Sequence, residues 1–391
     1  MNYDFDRQID RRASDSGKWN VYGEEILPMW VADMDFESPA PIVQALHQRA
    51  DVQVFGYGRP PMKLREVLAE RMLTRQNWQI EPDNVSFLPG LVCGLNIICR
   101  AIGEPGDGVL VNAPVYMPFL SAPTNQGREL NVAELAHTLV NDNGHQRVRY
   151  EIDFDALEAA ITPRTRLFIL CNPHNPVGRA YTKEELLQIG ELCIKHDLVL
   201  CSDEIHCDLT MGDTQHISVA SLAPEIADRT ITLQAPSKTF NIPGLGCSEA
   251  FVQNKELRAR MDKAAAGIVP HVNLMGYAAG LAAYSDPECE EWRLQLLAYL
   301  TANRDFLTDY VDTHLPQVRT TAPDATYLAW LDLREAGVEG NLQTFCLEEA
   351  KVAFNNGAAF GQGGEGFVRL NYGCPRATLA EGLDRLRHAL G

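Results

Sequence analysis

The sequence contains no C-x-x-C pair, although it has ten cysteines. Closely spaced pairs of this kind are typical of zinc sites and redox motifs. The cysteines lie instead at positions 93, 99, 171, 193, 201, 207, 247, 289, 346 and 374. Cys171 and Cys201 fall inside apolar runs, where a free cysteine behaves as a small hydrophobic residue. We therefore expect reduced thiols in the core and no metal site.

The sequence also has no long apolar run and no block of basic residues. No segment approaches the roughly 18 apolar residues that a membrane-spanning helix needs, and residues 1–7 lack the features of a secretion signal. The 34 basic and 52 acidic residues give a net charge of −18, which repels nucleic acid and anionic lipid. The sequence predicts a cytoplasmic protein that binds neither nucleic acid nor membranes.

Several common catalytic motifs are absent as well. The sequence contains no H-E-x-x-H, no G-x-S-x-G and no P-loop, which argues against zinc proteases, serine hydrolases and NTPases. Gly361, Gly363 and Gly366 match G-x-G-x-x-G literally, but a strand pattern follows them. A dinucleotide-binding fingerprint requires a helix at that point, so the match does not indicate a nicotinamide-dependent dehydrogenase.

What the sequence does contain is a regular alternation of strand and helix patterns. Its 391 residues are 46% hydrophobic and 22% charged, as in folded globular proteins. Short β-rich runs alternate with helical patterns, at residues 85–88, 108–112, 166–171, 198–203, 230–234 and 250–252. This pattern predicts an α/β fold with a mostly parallel central sheet covered on both faces. Thr182 and Glu185 predict a capping box at the start of one crossover helix.

The remaining patterns predict a second, smaller unit. Residues 63–78 and 290–313 have the spacing of amphipathic helices, and Thr378 and Glu381 predict a capping box that opens a terminal helix. Residues 327–331 and 367–371 have the pattern of strands in another sheet. We predict a large α/β domain at residues 50–285 and a small α+β domain built from residues 1–49 and 286–391.

Polar residues follow four of the predicted strands, where open parallel sheets bind their ligands. Lys238 comes just after a buried strand, where desolvation lowers the pKa of an amine and makes it reactive toward carbonyl compounds. Asp203 either caps a turn or binds a buried cation such as a protonated pyridine nitrogen. Asn175 is either an ordinary turn residue or a donor to a phenolate oxygen. Leu91 and Val92 open a helix whose free N–H groups suit a phosphate.

Together these groups match the needs of pyridoxal 5′-phosphate, which requires an amine, an acid, a donor and a phosphate site. The chain also carries Trp30-Val-Ala-Asp-Met-Asp-Phe36, Phe55-Gly-Tyr-Gly58, Asn172-Pro-His-Asn-Pro-Val-Gly178, Ser202-Asp-Glu-Ile-His206, Ser237-Lys-Thr-Phe-Asn241 and Phe367-Val-Arg-Leu-Asn371. On these motifs it resembles the fold-type I pyridoxal-phosphate enzymes of the class I/II aminotransferase superfamily. Within that superfamily it resembles the MalY/PatB cystathionine β-lyase family, nearly from end to end.

The resemblance implies catalytic roles for three residues. Lys238 corresponds to the lysine that forms a Schiff base with the cofactor, Asp203 to the partner of the pyridinium nitrogen, and Tyr116 to the aromatic residue that stacks on the ring. Asn175 corresponds to the donor to the ring oxygen. Taken alone, Tyr116 also fits a packing residue at an interface.

The resemblance further implies how phosphate and partner subunit are arranged. Leu91, Val92 and Ser237 correspond to residues that bind the phosphate. Tyr57 corresponds to a tyrosine that reaches the phosphate of the partner subunit, which implies a homodimer with composite active sites. Taken alone, Tyr57 also fits interface packing.

The resemblance implies that three residues bind the substrate. Arg369 corresponds to the residue that binds the α-carboxylate, and its planar fork suits two parallel hydrogen bonds; taken alone it also fits a surface salt bridge. Asn175 and Ala32 complete this set. His206 and Glu249 differ from the residues that many relatives have at these positions, and their roles stay open.

The resemblance implies a C–S β-lyase that cleaves L-cystathionine or related cysteine S-conjugates to a thiol, pyruvate and ammonia by α,β-elimination. The same residues also serve an aminotransferase, in which the proton taken from Cα returns to the cofactor. A third hypothesis is a regulatory protein that retains the fold, because the family includes a member with such a role. The residues alone do not separate the lyase from the aminotransferase, whereas the intact set of Lys238, Asp203 and Arg369 indicates that catalysis is retained.

Overall fold

A computed structural model describes residues 3–142 and 144–391. The α-helices in these ranges are α1 (Ala40–Asp51), α2 (Met62–Gln76), α3 (Leu91–Ala101), α4 (Met117–Asn125), α5 (Phe154–Ala159), α6 (Lys183–Lys195), α7 (Pro224–Ala227), α8 (Pro236–Thr239), α9 (Lys255–Ala265), α10 (Leu274–Ser285), α11 (Pro287–His314), α12 (Leu342–Glu348) and α13 (Arg376–Leu390). Single turns of 3₁₀ helix lie at Pro82–Asn84, Val219–Ser221, Pro243–Leu245 and Gly357–Phe360.

The β-strands in the same ranges are β1 (Leu27–Pro28), β2 (Val85–Leu88), β3 (Gly108–Ala113), β4 (Glu129–Glu134), β5 (Ala136–Asp142), β6 (His145–Glu151), β7 (Thr165–Cys171), β8 (Val199–Asp203), β9 (Thr230–Gln234), β10 (Ser248–Phe251), β11 (Arg319–Thr320), β12 (Leu328–Asp332), β13 (Val352–Ala353), β14 (Asn355–Asn356) and β15 (Phe367–Asn371). The predicted strands at residues 85–88, 230–234 and 367–371 have the bounds expected from the sequence.

The larger sheet has the strand order β2-β10-β9-β8-β7-β3-β4. Neighbouring strands from β9 to β4 are parallel, whereas β10 is antiparallel to both of its neighbours. The predicted α/β fold with a mostly parallel central sheet is therefore confirmed. The carboxyl ends of all strands except β10 lie at one edge of this sheet, which is where polar residues were expected to gather.

Helices cover both faces of this sheet, because its strands are apolar on both sides. Val109 and Val111 pack in one cluster with residues of α3 and α9. Leu110, which points to the opposite face, packs in another cluster with residues of α6. The capping box of α6 is confirmed: the Thr182 side chain accepts from the Glu185 N–H, and the Glu185 side chain accepts from the Thr182 N–H.

The second sheet has the strand order β14-β15-β12-β11-β6-β5. Its strands β5 and β6 form a hairpin within the segment 50–285, which the sequence assigned to the large domain. Residues of that segment therefore pair with residues near the C-terminus, through the contact of β6 with β11. The division of the chain into two domains at these boundaries stays a prediction.

The capping box predicted at Thr378 and Glu381 is wrong. Helix α13 begins two residues earlier, at Arg376, and no side chain of its own N-cap residue, Pro375, accepts a hydrogen bond. The reason is a tertiary contact, since the Arg376 N–H donates to the hydroxyl of Tyr299 at 2.7 Å. A hydroxyl from a distant helix thus satisfies the first free N–H group of the helix.

All ten cysteines are free, and eight of them are buried. Cys171 and Cys201 lie in β7 and β8 and pack in the apolar cluster beneath α3. Burial raises the pKa of both thiols, as expected for core residues rather than nucleophiles. Over the described residues, we find no helix both long and apolar enough to span a bilayer.

Candidate active site

A cavity of about 210 Å³ opens at the carboxyl ends of the central strands. Eight of the predicted site residues line it: Ala32, Leu91, Val92, Tyr116, Asn175, Asp203, Ser237 and Lys238. They come from six separate segments of the chain, and the strand ends of the sheet bring them together. Arg369 lies directly behind this lining, and Tyr57 lies elsewhere.

Lys238 stands in the short helix α8, which follows the buried strand β9. Its Nζ donates to the backbone carbonyl of Ala32 at 2.6 Å. Within the described residues no carboxylate lies within ion-pair distance of this amine. Desolvation, assisted by the positive charge of Arg369, lowers the pKa of Lys238 to about 8. A substantial fraction of an amine with such a pKa is neutral near pH 8, as nucleophilic or basic chemistry requires.

Asp203 ends β8 and lies on the same cavity wall. Its carboxylate accepts one hydrogen bond, from the backbone N–H of Ile205 at 3.1 Å. Desolvation raises the pKa of Asp203 to about 7, although the charge of Lys238 opposes the shift. A buried carboxylate with so few partners gains most from a cation placed against it.

Two loops bring Tyr116 and Asn175 together. The Tyr116 N–H donates to the backbone carbonyl of Asn175 at 3.1 Å. The side-chain oxygen of Asn175 accepts from Arg369 at 3.0 Å. Because that oxygen is engaged, the amide N–H₂ group is the part of Asn175 that remains to donate to a ligand. Desolvation raises the pKa of Tyr116, so its hydroxyl stays protonated.

Arg369 is a buried cation without a counter-ion. Only 2% of the residue is exposed, and its guanidinium donates to three neutral oxygens, those of Asn175, Trp30 and Asn355. Its Nε has no partner, and no carboxylate of the described residues lies within ion-pair distance. Desolvation lowers the pKa of Arg369 to about 10. The site therefore has an unmet requirement for an anion.

The N-terminus of α3 lines the same cavity. No side chain caps this helix, so the N–H groups of Leu91 and Val92 have no side-chain acceptor from the N-cap residue, Gly90. Ser237 and Ser248 add two hydroxyls to the same cavity. Uncapped N–H groups at the positive end of an 11-residue helix favour a phosphate.

Tyr57 does not lie at the cavity of its own chain. It is fully exposed, and residues 51–57 as a whole are exposed. Val52, Val54 and Phe55 are apolar side chains in this segment with more than half of their surface exposed. An exposed apolar segment of this kind marks a surface that contacts another molecule. The role expected for Tyr57 in a partner subunit stays a prediction.

Two residues that the sequence did not single out hold the segment around Ala32 in place. The hydroxyl of Tyr327 donates to the carbonyl of Ala32 at 2.8 Å. The side chain of Asn371 donates to the carbonyls of Val31 and Asp33, each at 2.6 Å. Both residues lie in or next to predicted strands. Asn371 follows Arg369 by two positions, so the side chains of Arg369 and Asn371 share a face of β15.

Residues 24–386 match the family model described as aminotransferase class I and II. The chain is 40% identical to cystathionine β-lyase PatB of Bacillus subtilis over 394 residues, which cover 99% of each protein. The chain belongs to the class I and II aminotransferase family. This confirms the family expected from the motifs, including its similarity to PatB.

Solved structures of this family agree along the whole chain. The crystal structure of OvoB is 42% identical and superposes with a TM-score of 0.92, covering 99% of both chains. The structure of cystalysin from Treponema denticola, which contains pyridoxal 5′-phosphate, is 34% identical with a TM-score of 0.92, covering 100% of this chain and 99% of that one.

His206 and Glu249 have different environments. Both differ from the residues that many relatives have at these positions. His206 lines the cavity, is buried and makes no hydrogen bond through Nδ1. Desolvation lowers its pKa to about 3, so the ring is neutral.

Glu249 lies outside the cavity and accepts from Tyr284 and Cys247. Desolvation raises the pKa of Glu249 to about 8, which explains how a glutamate is accommodated in a buried strand. In the described residues, no group of histidine, cysteine, aspartate and glutamate side chains could hold a metal ion.

Proposed function

We propose that this protein is a pyridoxal-phosphate-dependent C–S β-lyase that cleaves L-cystathionine or related cysteine S-conjugates to a thiol, pyruvate and ammonia. One observation carries the proposal. The cations of Arg369 and Lys238 meet beside one cavity, and neither has a carboxylate of the described chain within ion-pair distance. An amino acid carboxylate and an aldehyde cofactor meet these two requirements. The similarity to cystathionine β-lyase PatB and to cystalysin supports the choice of reaction.

The residues of the cavity fit pyridoxal 5′-phosphate group by group. The amine of Lys238 suits the aldehyde, and the carboxylate of Asp203 suits the protonated ring nitrogen, which would supply the cation that Asp203 lacks. The free amide N–H₂ of Asn175 suits the ring oxygen. The uncapped N–H groups of Leu91 and Val92, with Ser237, suit the phosphate. Tyr116 offers an aromatic face on the cavity wall.

Arg369 and its neighbours position the substrate. The fork of Arg369 binds the α-carboxylate, and the anion stabilises a guanidinium that is otherwise buried without compensation. Asn175 holds Arg369 through its side-chain oxygen. The segment at Ala32 closes the other side of this subsite, because Tyr327 and Asn371 fix its backbone. The substrate is therefore held at its carboxylate end, with the rest of the molecule free to differ.

Two residues carry the proton chemistry. Bound in this cavity, pyridoxal phosphate supplies an electron-withdrawing ring that makes the Cα proton of an amino acid acidic. Lys238 takes that proton, because its lowered pKa leaves it able to act as a base near neutral pH. Asp203 keeps a proton on the ring nitrogen by offering a negative charge at that atom. The sulfur substituent leaves Cβ as a thiolate and takes up the proton that Lys238 removed from Cα, which gives the thiol. Water then cleaves the C–N bond of the remaining three-carbon fragment, which gives pyruvate and ammonia.

The exposed segment at residues 51–57 supports a homodimer with composite active sites. Tyr57 would reach the phosphate of the partner's cofactor, and the apolar side chains around it would be buried between the subunits. We also propose a cytoplasmic location, which the ten free thiols favour, because disulfides are rare in reducing compartments.

The experiment is an assay of pyruvate and thiol release from L-cystathionine by the protein loaded with pyridoxal phosphate, with no 2-oxo acid present. We expect many equivalents of pyruvate per subunit, with one thiol released for each. Lys238→Ala serves as the inactive control.

Two other outcomes would overturn the proposal. A protein that shows the visible absorption of bound cofactor, releases neither pyruvate nor thiol, and transfers the amino group of the substrate to an added 2-oxo acid is an aminotransferase. A protein that shows no such absorption supports a regulatory role for the fold.

A further inference from the structure

We propose that His174 is a positioning residue of the active site, which fixes Tyr116 and Asn175 relative to one another through a neutral imidazole that bridges their two loops. The inference rests on the proposed function only in that Tyr116 and Asn175 contact the cofactor. It adds a residue to which neither motif spacing nor cavity lining points.

The imidazole makes one hydrogen bond through each nitrogen. Nε2 lies 2.8 Å from the backbone carbonyl of Pro114, and Nδ1 lies 3.0 Å from the hydroxyl of Tyr181. A carbonyl oxygen only accepts, so Nε2 carries the proton and donates it. In a neutral ring Nδ1 is then an acceptor, and the Tyr181 hydroxyl donates to it. The two partners therefore select one tautomer of His174.

This bridge connects the two loops at the positions that matter. Pro114 precedes Tyr116 by two residues, and His174 immediately precedes Asn175. A backbone hydrogen bond from Tyr116 to Asn175 closes the same small unit at 3.1 Å. Because Asn175 also accepts from Arg369, a displacement of the loop would be transmitted to the residue that binds the substrate carboxylate.

The far end of the bridge is anchored to the sheet. The Tyr181 N–H donates to the side-chain oxygen of Asn172 at 3.1 Å, and Tyr181 leads directly into the capped helix α6. Across the loop, the His174 N–H donates to the Arg179 carbonyl at 2.7 Å and the His174 carbonyl accepts from the Gly178 N–H at 2.8 Å. His174 and Tyr181 are both nearly inaccessible, at 1% and 3% exposure. The imidazole is therefore held in place by buried partners, and it can fix the two loops relative to each other.

The neutral state on which the bridge depends is secured by its surroundings. Desolvation, assisted by the charge of Arg179, lowers the pKa of His174 to about 4, although the backbone groups of Pro114 and Cys171 oppose the shift. A protonated ring has donors on both nitrogens, so Nδ1 could no longer accept from Tyr181. At any pH well above 4 the bridge stays intact, and it adds no titration to the working range of the enzyme.

The test compares four variants of the holoenzyme by visible circular dichroism of the bound cofactor, by its dissociation constant and by KM for L-cystathionine. His174→Phe removes both hydrogen bonds and keeps an aromatic ring. His174→Gln keeps one donor in reach of the Pro114 carbonyl. Tyr181→Phe removes only the donor to Nδ1. Tyr150→Phe is the matched control, because it also removes one buried phenol hydroxyl, in this case one whose partner is Trp330 rather than His174.

We expect His174→Phe to change the dichroic band and to raise KM about fivefold to tenfold, the equivalent of roughly one lost hydrogen bond. His174→Gln should fall between His174→Phe and the parent, and Tyr150→Phe should match the parent in all three measurements. Equal dichroism and KM in His174→Phe and in the parent would overturn the proposal, even if the variant is less stable. Dichroism and cofactor affinity do not depend on the reaction, so a failure of the lyase assay leaves this test intact.

Discussion

Two groups of buried charges in this molecule are built in opposite ways. Between α2 and α11, Arg71 forms an ion pair with Asp208, and Arg293 pairs with Glu290 at 2.6 Å. At the end of the central sheet, Arg369 has only neutral partners. Arg71, Asp208, Arg293 and Arg369 are all buried, yet each charge of the first region has a counter-ion and Arg369 has none within the described residues.

The difference separates charges that hold the fold from charges that await a ligand. A buried ion pair is costly to break, because the remaining partner is left as an uncompensated charge. A buried cation without a counter-ion raises the free energy of the folded protein, and a bound anion lowers it again. The lowered pKa values of Arg369 and Lys238 express that cost. The pKa of Arg71 is raised instead, because Asp208, Tyr284, Cys207 and Glu290 together outweigh its desolvation.

The largest expected effect belongs to Lys238. Lys238→Ala should abolish the visible absorption of the lysine-bound cofactor and lower kcat by roughly 10⁴-fold, because the base is lost. Lys18 is the matched control, since it is also buried but forms an ion pair with Asp35 at 2.7 Å. Lys18→Ala should keep the absorption band and lower the free energy of unfolding by about 1–3 kcal/mol. An absorption band that persists in Lys238→Ala would remove this lysine from the site.

The adjacent residues Asp203 and Glu204 extend the comparison to carboxylates. Glu204 accepts from Ser202, His216, Ser218 and Gln234, whereas within the described residues the carboxylate of Asp203 accepts only from the Ile205 N–H. Asp203→Asn should lower kcat by about 10²-fold to 10³-fold, because the negative charge beside the ring nitrogen is lost. Glu204→Gln should mainly lower the free energy of unfolding, by about 2 kcal/mol. Measurements of kcat and of urea unfolding on both variants check this, and near-normal turnover of Asp203→Asn would contradict it.

A smaller effect is expected on substrate binding at Arg369. Arg369→Ala should raise KM for L-cystathionine by about 10-fold to 100-fold, the equivalent of losing charge-assisted hydrogen bonds to the carboxylate. Steady-state kinetics give the value directly. The substrate amide of the same amino acid, which lacks the carboxylate, should bind the parent and the variant equally. An unchanged KM would exclude Arg369 from the substrate site.

A pH-dependent effect on stability is expected at Glu249, which lies near the paired group and has no counter-ion within ion-pair distance in the described chain. Its pKa is raised from 4.5 to about 8, so the folded protein keeps a proton that the unfolded chain loses. Its contribution to stability is therefore full below about pH 4.5 and is lost as the pH rises to about 8, at up to about 1.4 kcal/mol per pH unit. Glu249→Gln should flatten this part of the stability profile, as measured by urea unfolding between pH 5 and 8. A parallel profile in the variant would contradict the assignment.

Much of this site could be predicted from the sequence, because each part follows a strand end. Asp203, Lys238 and Asn175 follow apolar runs directly, and a parallel sheet brings such positions to one edge. Contacts between distant segments were not predictable. Tyr327 and Asn371 donate hydrogen bonds to the segment at Ala32 only because of how distant parts of the chain pack together. No spacing of residues in the sequence predicts these bonds.

The same limit explains what the sequence predicted incorrectly. Thr378 and Glu381 have the spacing of a capping box, but the hydroxyl of Tyr299 supplies the acceptor earlier in the chain. A partner 77 residues away thus overrides a local pattern, which local reasoning does not detect.

The most direct test of the contrast between paired and unpaired charges is the free energy of unfolding of Arg369→Ala and Arg71→Ala, measured in the absence of substrate. Arg71→Ala should lose about 3–5 kcal/mol, because Asp208 is left buried with weaker compensation. Arg369→Ala should lose less than about 1 kcal/mol or become more stable, because an uncompensated buried charge is removed. A loss in Arg369→Ala as large as that in Arg71→Ala would contradict the account, since Arg369 would then hold the fold rather than await a substrate.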